Sequence, residues 1–141
     1  MVRFSKSGVA LEYPSTWLLD EEATETGWTA TLQSPGTAFI LLSLSTDADD
    51  PAQVADQTLE ALKAEYPELD SAVVTETLAG RMAVGYDVDF VALDATVVCR
   101  IRVLDATDGP LLILTQFGEL DAAKHEPALK AIVASLEITE E

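Results

Sequence analysis

Polar and apolar residues alternate through positions 81–90: Met82, Val84, Tyr86, Val88 and Phe90 fall on one side, Arg81, Ala83, Gly85, Asp87 and Asp89 on the other. That is the period of a β-strand. The alternation resumes after Leu93-Asp94, with Val97, Cys99, Ile101 and Val103 on one face and Val98, Arg100 and Arg102 on the other. A two-residue connection sets Ala92 opposite Ala95, which places Val88 opposite Cys99 and Asp87 opposite Arg100. Like faces then meet, and a cross-strand ion pair between Asp87 and Arg100 is expected. Asp105-Ala106-Thr107-Asp108-Gly109-Pro110 is a turn by composition and leads into a third strand over 111–117. Because Leu111, Leu112, Ile113 and Leu114 are continuously apolar, this strand is expected to be covered on both faces.

Weaker versions of the same pattern organise the rest. Residues 8–13 read as a short strand ended by Pro14, with Trp17 capping the core edge beyond the turn. Residues 20–25 are acidic throughout apart from Ala23 and Thr24 and read as a solvated loop. Trp28, Ala30 and Leu32 alternate with Thr29, Thr31 and Gln33, and the Ser34-Pro35-Gly36 turn joins that strand to another over 38–45. Asp47, Asp49 and Asp50 precede Pro51, the signature of a helix start, and Ala55, Leu59, Leu62 and Tyr66 follow at helical spacing up to Pro67. A strand over 70–77 leads through Ala79-Gly80 into the 81–118 meander. Leu129, Ile132, Val133 and Leu136 form the apolar stripe of a closing helix, with Pro127 tolerable only in its first turn. There is no internal repeat, and residues 1–141 are expected to form one domain with a substantial core, 48% of them being hydrophobic.

Charge narrows the range of partners more than composition does. With 8 Lys+Arg against 25 Asp+Glu the formal net charge is -17, which repels phosphate backbones and anionic membranes, so neither nucleic acid nor a membrane is an expected partner. The charge suits solubility or a salty cytoplasm, and it also suits steering toward a basic protein. Cys99 is the single cysteine, so no intramolecular disulfide can form, and its place on an apolar strand face marks a buried small hydrophobe. No stretch approaches about 18 uninterrupted apolar residues, and a cytoplasmic location is expected.

Catalytic machinery is hard to assemble from what is present. His125, the only histidine, sits among Ala123, Lys124 and Glu126 near a helix start, where a solvated side chain is expected. The carboxylates Asp47, Asp49 and Asp50 lack the glycine and glutamate of an EF-hand loop, which leaves helix capping as their role. Phosphate-binding glycine loops are missing as well. No catalytic residue, metal ligand or cofactor-binding residue is assigned, no cofactor is expected, and the chain is not expected to be an enzyme. One polar set stands out: Asp87, Asp89, Arg100 and Arg102 share a sheet face and include half of the arginines. They are expected to form an ion-pair ladder that sets register, and they are also the candidate partner-binding residues, as the polar floor of a groove.

The order of parts resembles the Mog1/PsbP-like superfamily. The resemblance rests on Leu11-Glu12-Tyr13-Pro14-Ser15-Thr16-Trp17, the Ser34-Pro35 hairpin, the Ala79-Gly80 turn before a long strand pair, and the closing Ile132-Val133-Ala134-Ser135-Leu136. It implies an α+β fold, an antiparallel β-sheet flanked by helices on both faces, an α/β/α sandwich. It also implies non-enzymatic work of the kinds known there: Ran-GTPase binding, support of the oxygen-evolving complex, or effector-chaperone activity in DcrB-like secretion adaptors. The expected function is that of a protein-binding or adaptor domain, monomeric or homodimeric, with a basic protein as partner. The alternatives are a DcrB-like secretion or effector chaperone and a small-ligand-binding domain.

Overall fold

The structure is a computed structural model that describes residues 1–47 and 50–139. Its frame is a seven-stranded sheet, antiparallel throughout, in the order β3-β4-β5-β9-β8-β7-β6. The strands are β3 (Leu18–Ala23), β4 (Gly27–Gln33), β5 (Phe39–Ser45), β6 (Asp70–Leu78), β7 (Arg81–Ala92), β8 (Ala95–Ala106) and β9 (Gly109–Gly118). A smaller sheet joins β1 (Val2–Lys6), β2 (Val9–Tyr13) and β10 (Glu137–Ile138). Two helices complete the chain, α1 (Pro51–Glu65) and α2 (Ala122–Ala134), the second entered through a short 3-10 turn at Glu119–Asp121.

Strand β9 lies at the middle of the large sheet, and its residues explain why an unbroken apolar run is needed. Leu111, Ile113 and Phe117 pack with Leu129 and Ile132 of α2 and with Val9 and Leu11 of β2. Leu112 and Leu114 pack with Ala55 and Leu59 of α1 and with Val88, Cys99 and Ile101. Alternate side chains of one strand therefore feed two separate cores. Helix α1 starts as its sequence requires: Asp50 accepts a hydrogen bond from the Gln53 N–H at 2.8 Å, and Pro51 occupies a position whose N–H would have no partner. Asp49, the middle carboxylate of that run, lies outside the described residues.

The long meander has the expected register, with Ala92 opposite Ala95, Val88 opposite Cys99 and Asp87 opposite Arg100. Its first turn uses two left-handed non-glycine residues, Leu93 at φ 52° and Asp94 at φ 62°. Both sit in the αL region that a two-residue hairpin of this hand demands, and leucine resists it. Leu93 is also fully exposed, at 101%. Replacing the pair by Asn-Gly is expected to raise the unfolding free energy by about 1 kcal/mol, as read by urea denaturation; an unchanged or lowered midpoint would contradict the turn assignment.

Residues 20–25 and the start of α2 depart from expectation, and a strand that no pattern announced is added at the N-terminus. Residues 18–23 are the border strand β3, paired with β4 from Leu18↔Gln33 to Ala23↔Trp28, and not an acidic loop. Their side chains are nearly all exposed, so main-chain pairing rather than a buried face defines them. The N-terminal residues form β1, joined to β2 through Ser7 and Gly8, both at positive φ. Helix α2 begins at Ala122, which places Pro127 inside it and carries His125 onto the inner stripe with Leu129 and Ile132. His125 is accordingly 4% exposed, not solvated.

Cys99 is buried as expected, and loss of water pushes its thiol from an ordinary 9.0 up to about 12. The folded state holds the proton to higher pH than the unfolded chain, so this contribution to stability is intact below 9 and is lost as pH climbs through the window to about 12. Iodoacetamide is expected to leave the native thiol unmodified at neutral pH and to react after denaturation; rapid native labelling would show that strand β8 opens.

Candidate functional site

Of the four residues singled out on the polar sheet face, Asp87, Arg100 and Arg102 line one cleft of about 440 Å³ between strands β6–β9 and helix α2. Glu76, Thr115 and Lys130 complete its polar lining, and Leu78, Ile113, Leu129 and Val133 its apolar lining. Asp89 belongs elsewhere: it faces Asp70 across β6–β7 and borders a second cleft at the start of β6.

Register alone would pair Asp87 with Arg100, but the ion pairs are diagonal. Arg102, 8% exposed, donates through Nη2 to Asp87 Oδ1 at 2.8 Å and through Nε to Glu76 Oε1 at 3.0 Å. Its Nη1 donates to the carbonyls of Ile101 and Tyr86, at 3.0 and 3.3 Å. The residue opposite Arg102 is Gly85. With no side chain there, the guanidinium can lie flat along the sheet toward both carboxylates. Arg100 turns the other way, its guanidinium 5.6 Å from the Phe117 ring centre, and donates to Glu126 of α2 at 2.9 Å. Glu126 is in turn 3.6 Å from Lys130. The expected ladder is therefore a network that ties three strands to a helix.

The electrostatics follow from a count. Arg100, Arg102 and Lys130 are three of the chain's eight Lys and Arg residues, and Glu76, Asp87 and Glu126 meet them with three carboxylates. A cleft in a chain of charge -17 is thus locally balanced. Neither the reach of Glu76 past β7 to Arg102 nor the approach of Glu126 on α2 was foreseeable from strand alternation. His125 was: extending the stripe of Leu129 and Ile132 back one turn reaches it. A methyl placed at Gly36 would lie 2.5 Å from His125 Nε2, so the Ser34-Pro35-Gly36 turn closes directly over the imidazole.

The chain has a mixed α+β fold, a seven-stranded antiparallel sheet with two separately packed helices and a β-hairpin at the N-terminal end, and in fold it is similar to Mog1/PsbP-like structures. Several solved structures share the likeness, among them the next three. The Pseudomonas aeruginosa protein PA94, of unknown function, is 17% identical, with 100% of this chain and 99% of that one covered and a TM-score of 0.59. LpqN of Mycobacterium tuberculosis, involved in cell envelope biogenesis, is 18% identical over 98% and 90% of the two chains, TM-score 0.62. Cyanobacterial PsbP (CyanoP) of Synechocystis sp. PCC 6803 is 9% identical over 98% and 92%, TM-score 0.61. No family model and no curated protein matches the sequence. At these identities the likeness is one of fold and carries no function across. No helix among the described residues is long and apolar enough to cross a membrane.

Proposed function

We propose that this chain is a non-enzymatic protein-binding or adaptor domain, built as an antiparallel sheet with helices on both faces and acting in the cytoplasm on a partner with a basic surface. The observation that carries this reading is the internal pairing of the polar cleft. Arg102 meets two carboxylates and two main-chain carbonyls, and Arg100 meets Glu126. Both guanidiniums already hold the fold together, which leaves the strongly acidic exterior to meet other molecules. Affinity capture from the native host tests it: a reproducible protein partner, captured less as salt rises, is expected, and consistent absence of any partner at low and high salt would overturn the reading.

The cleft of about 440 Å³ favours a second reading, a small anionic ligand that takes Arg100 from Glu126. Thermal stabilisation by a carboxylate that disappears in Arg100→Met protein would favour it.

A further inference from the structure

Strand β6 is a border of the large sheet, bonded to β7 along its nine residues and, among the described residues, to no strand on its other side. Long border strands are usually blunted by proline, lysine, a bulge or a covering element, since their free N–H and C=O groups otherwise pair with another chain. Asp-Ser-Ala-Val-Val-Thr-Glu-Thr-Leu carries neither proline, glycine nor a cation, and seven of its nine side chains are exposed. The opposite border, β3, is shorter, and Lys6 of β1 reaches across it to Glu21 at 3.7 Å.

Charge selects the occupant. Asp70 lies directly opposite Asp89, an arrangement of like charges that costs stability until a cation enters. Glu65 and Glu68 stand beside them around a cleft of about 700 Å³ at the start of β6, bordered by Tyr66 and Phe90, whose rings stack at 4.0 Å. Glu76 continues that face further along, at the same strand parity as Asp70, with one carboxylate oxygen bonded to Arg102 and its side chain still 44% exposed. The other face presents Val73, 77% exposed, with Ser71, Thr75 and Thr77. A second copy of this chain would bring another -17 to the contact and is disfavoured.

We infer that β6 is the docking edge, and that it takes an extended basic segment of a partner protein, adding an eighth strand whose lysines or arginines meet Asp70, Asp89 and Glu76 while an apolar residue covers Val73. This inference rests on the protein-binding reading above and names its surface. The test is NMR and amide exchange on the whole chain with a peptide of about eight alternating lysines and valines, the same peptide N-methylated at every second residue, and its glutamate-valine counterpart. The lysine peptide is expected to shift and protect amides of Asp70–Leu78. N-methylation, which removes the main-chain donors, is expected to weaken binding at least about tenfold, the glutamate peptide is expected not to bind, and Val73→Lys, at an exposed position that leaves folding intact, is expected to weaken the lysine peptide. Equal binding of the methylated peptide would reduce the effect to diffuse charge attraction and overturn the assignment. Shifts confined to other strands, with a partner still captured from the host, would overturn the β6 surface while leaving protein binding in place; failure of both experiments would remove both.

Discussion

Gly85→Ala is expected to lower the unfolding free energy by about 3 kcal/mol, which for a chain of this size is a fall in Tm of about 10 °C. A Cβ at Gly85 would overlap the Ile101 carbonyl oxygen and lie 2.6 Å from its carbon, and neither atom can move without separating β7 from β8. Gly85 is the register partner of Arg102, whose Cα would lie 3.2 Å from that added Cβ, so the substitution strikes the strand pair where the ion network is anchored. Gly80 is the control. It sits at φ 75°, and a Cβ there would meet nothing within 4 Å, so Gly80→Asn, which tolerates that backbone, is expected to cost no more than about 0.5 kcal/mol. Thermal melts of the two variants separate close strand approach from mere glycine loss; a Gly85→Ala protein as stable as wild type would refute the close packing of β7 on β8.

That contrast also marks what the sequence could reveal. The 81–118 meander was legible because each of its first two strands pairs an apolar face with a polar one, and because a two-residue turn fixes register once the faces are matched. Strand β3 was not, since a border strand exposed on nearly every side chain has no alternation to read. Gly85 gave no signal either: on the polar face of an alternating strand it looks like any small residue, and only the Ile101 carbonyl beside it shows its purpose. The candidate site was half legible. Asp87, Arg100 and Arg102 do share a face and a cleft, but the further carboxylates did not show: Glu126 comes from α2, whose placement depends on tertiary packing, and Glu76 on β6 reaches past β7 to Arg102. The start of α2 is set by a 3-10 turn that composition does not announce, and only the stripe of Leu129 and Ile132, carried back one turn, points to the burial of His125.

Arg102→Ala is expected to cost about 2 to 3 kcal/mol. Removing one member of a buried ion pair typically costs about 3 to 5 kcal/mol, but the side chains of Glu76 and Asp87 are 44% and 48% exposed and regain water when the guanidinium goes. What remains is two adjacent carboxylates, the lost stem of Arg102, and the Ile101 and Tyr86 carbonyls without their donor. Arg102→Met combined with Glu76→Gln and Asp87→Asn restores packing without stranding a charge and is expected to recover most of the loss. Urea denaturation of the single and triple variants decides between the alternatives. Equal destabilisation of both would mean that the network's charges, and not its packing, hold β6, β7 and β8 together.

The other half of the network offers a way to change the cleft while leaving β6 untouched. Arg100→Met combined with Glu126→Gln removes the ion pair between β8 and α2 without changing the net charge. Calorimetry of the captured partner against wild-type and double-variant protein, at low and at physiological salt, therefore decides whether the partner is held by the acidic exterior or by the cleft. Binding by the exterior gives a saturable complex that weakens as salt rises and whose affinity is the same for both proteins. A complex indifferent to salt, or one abolished in the double variant, would contradict it.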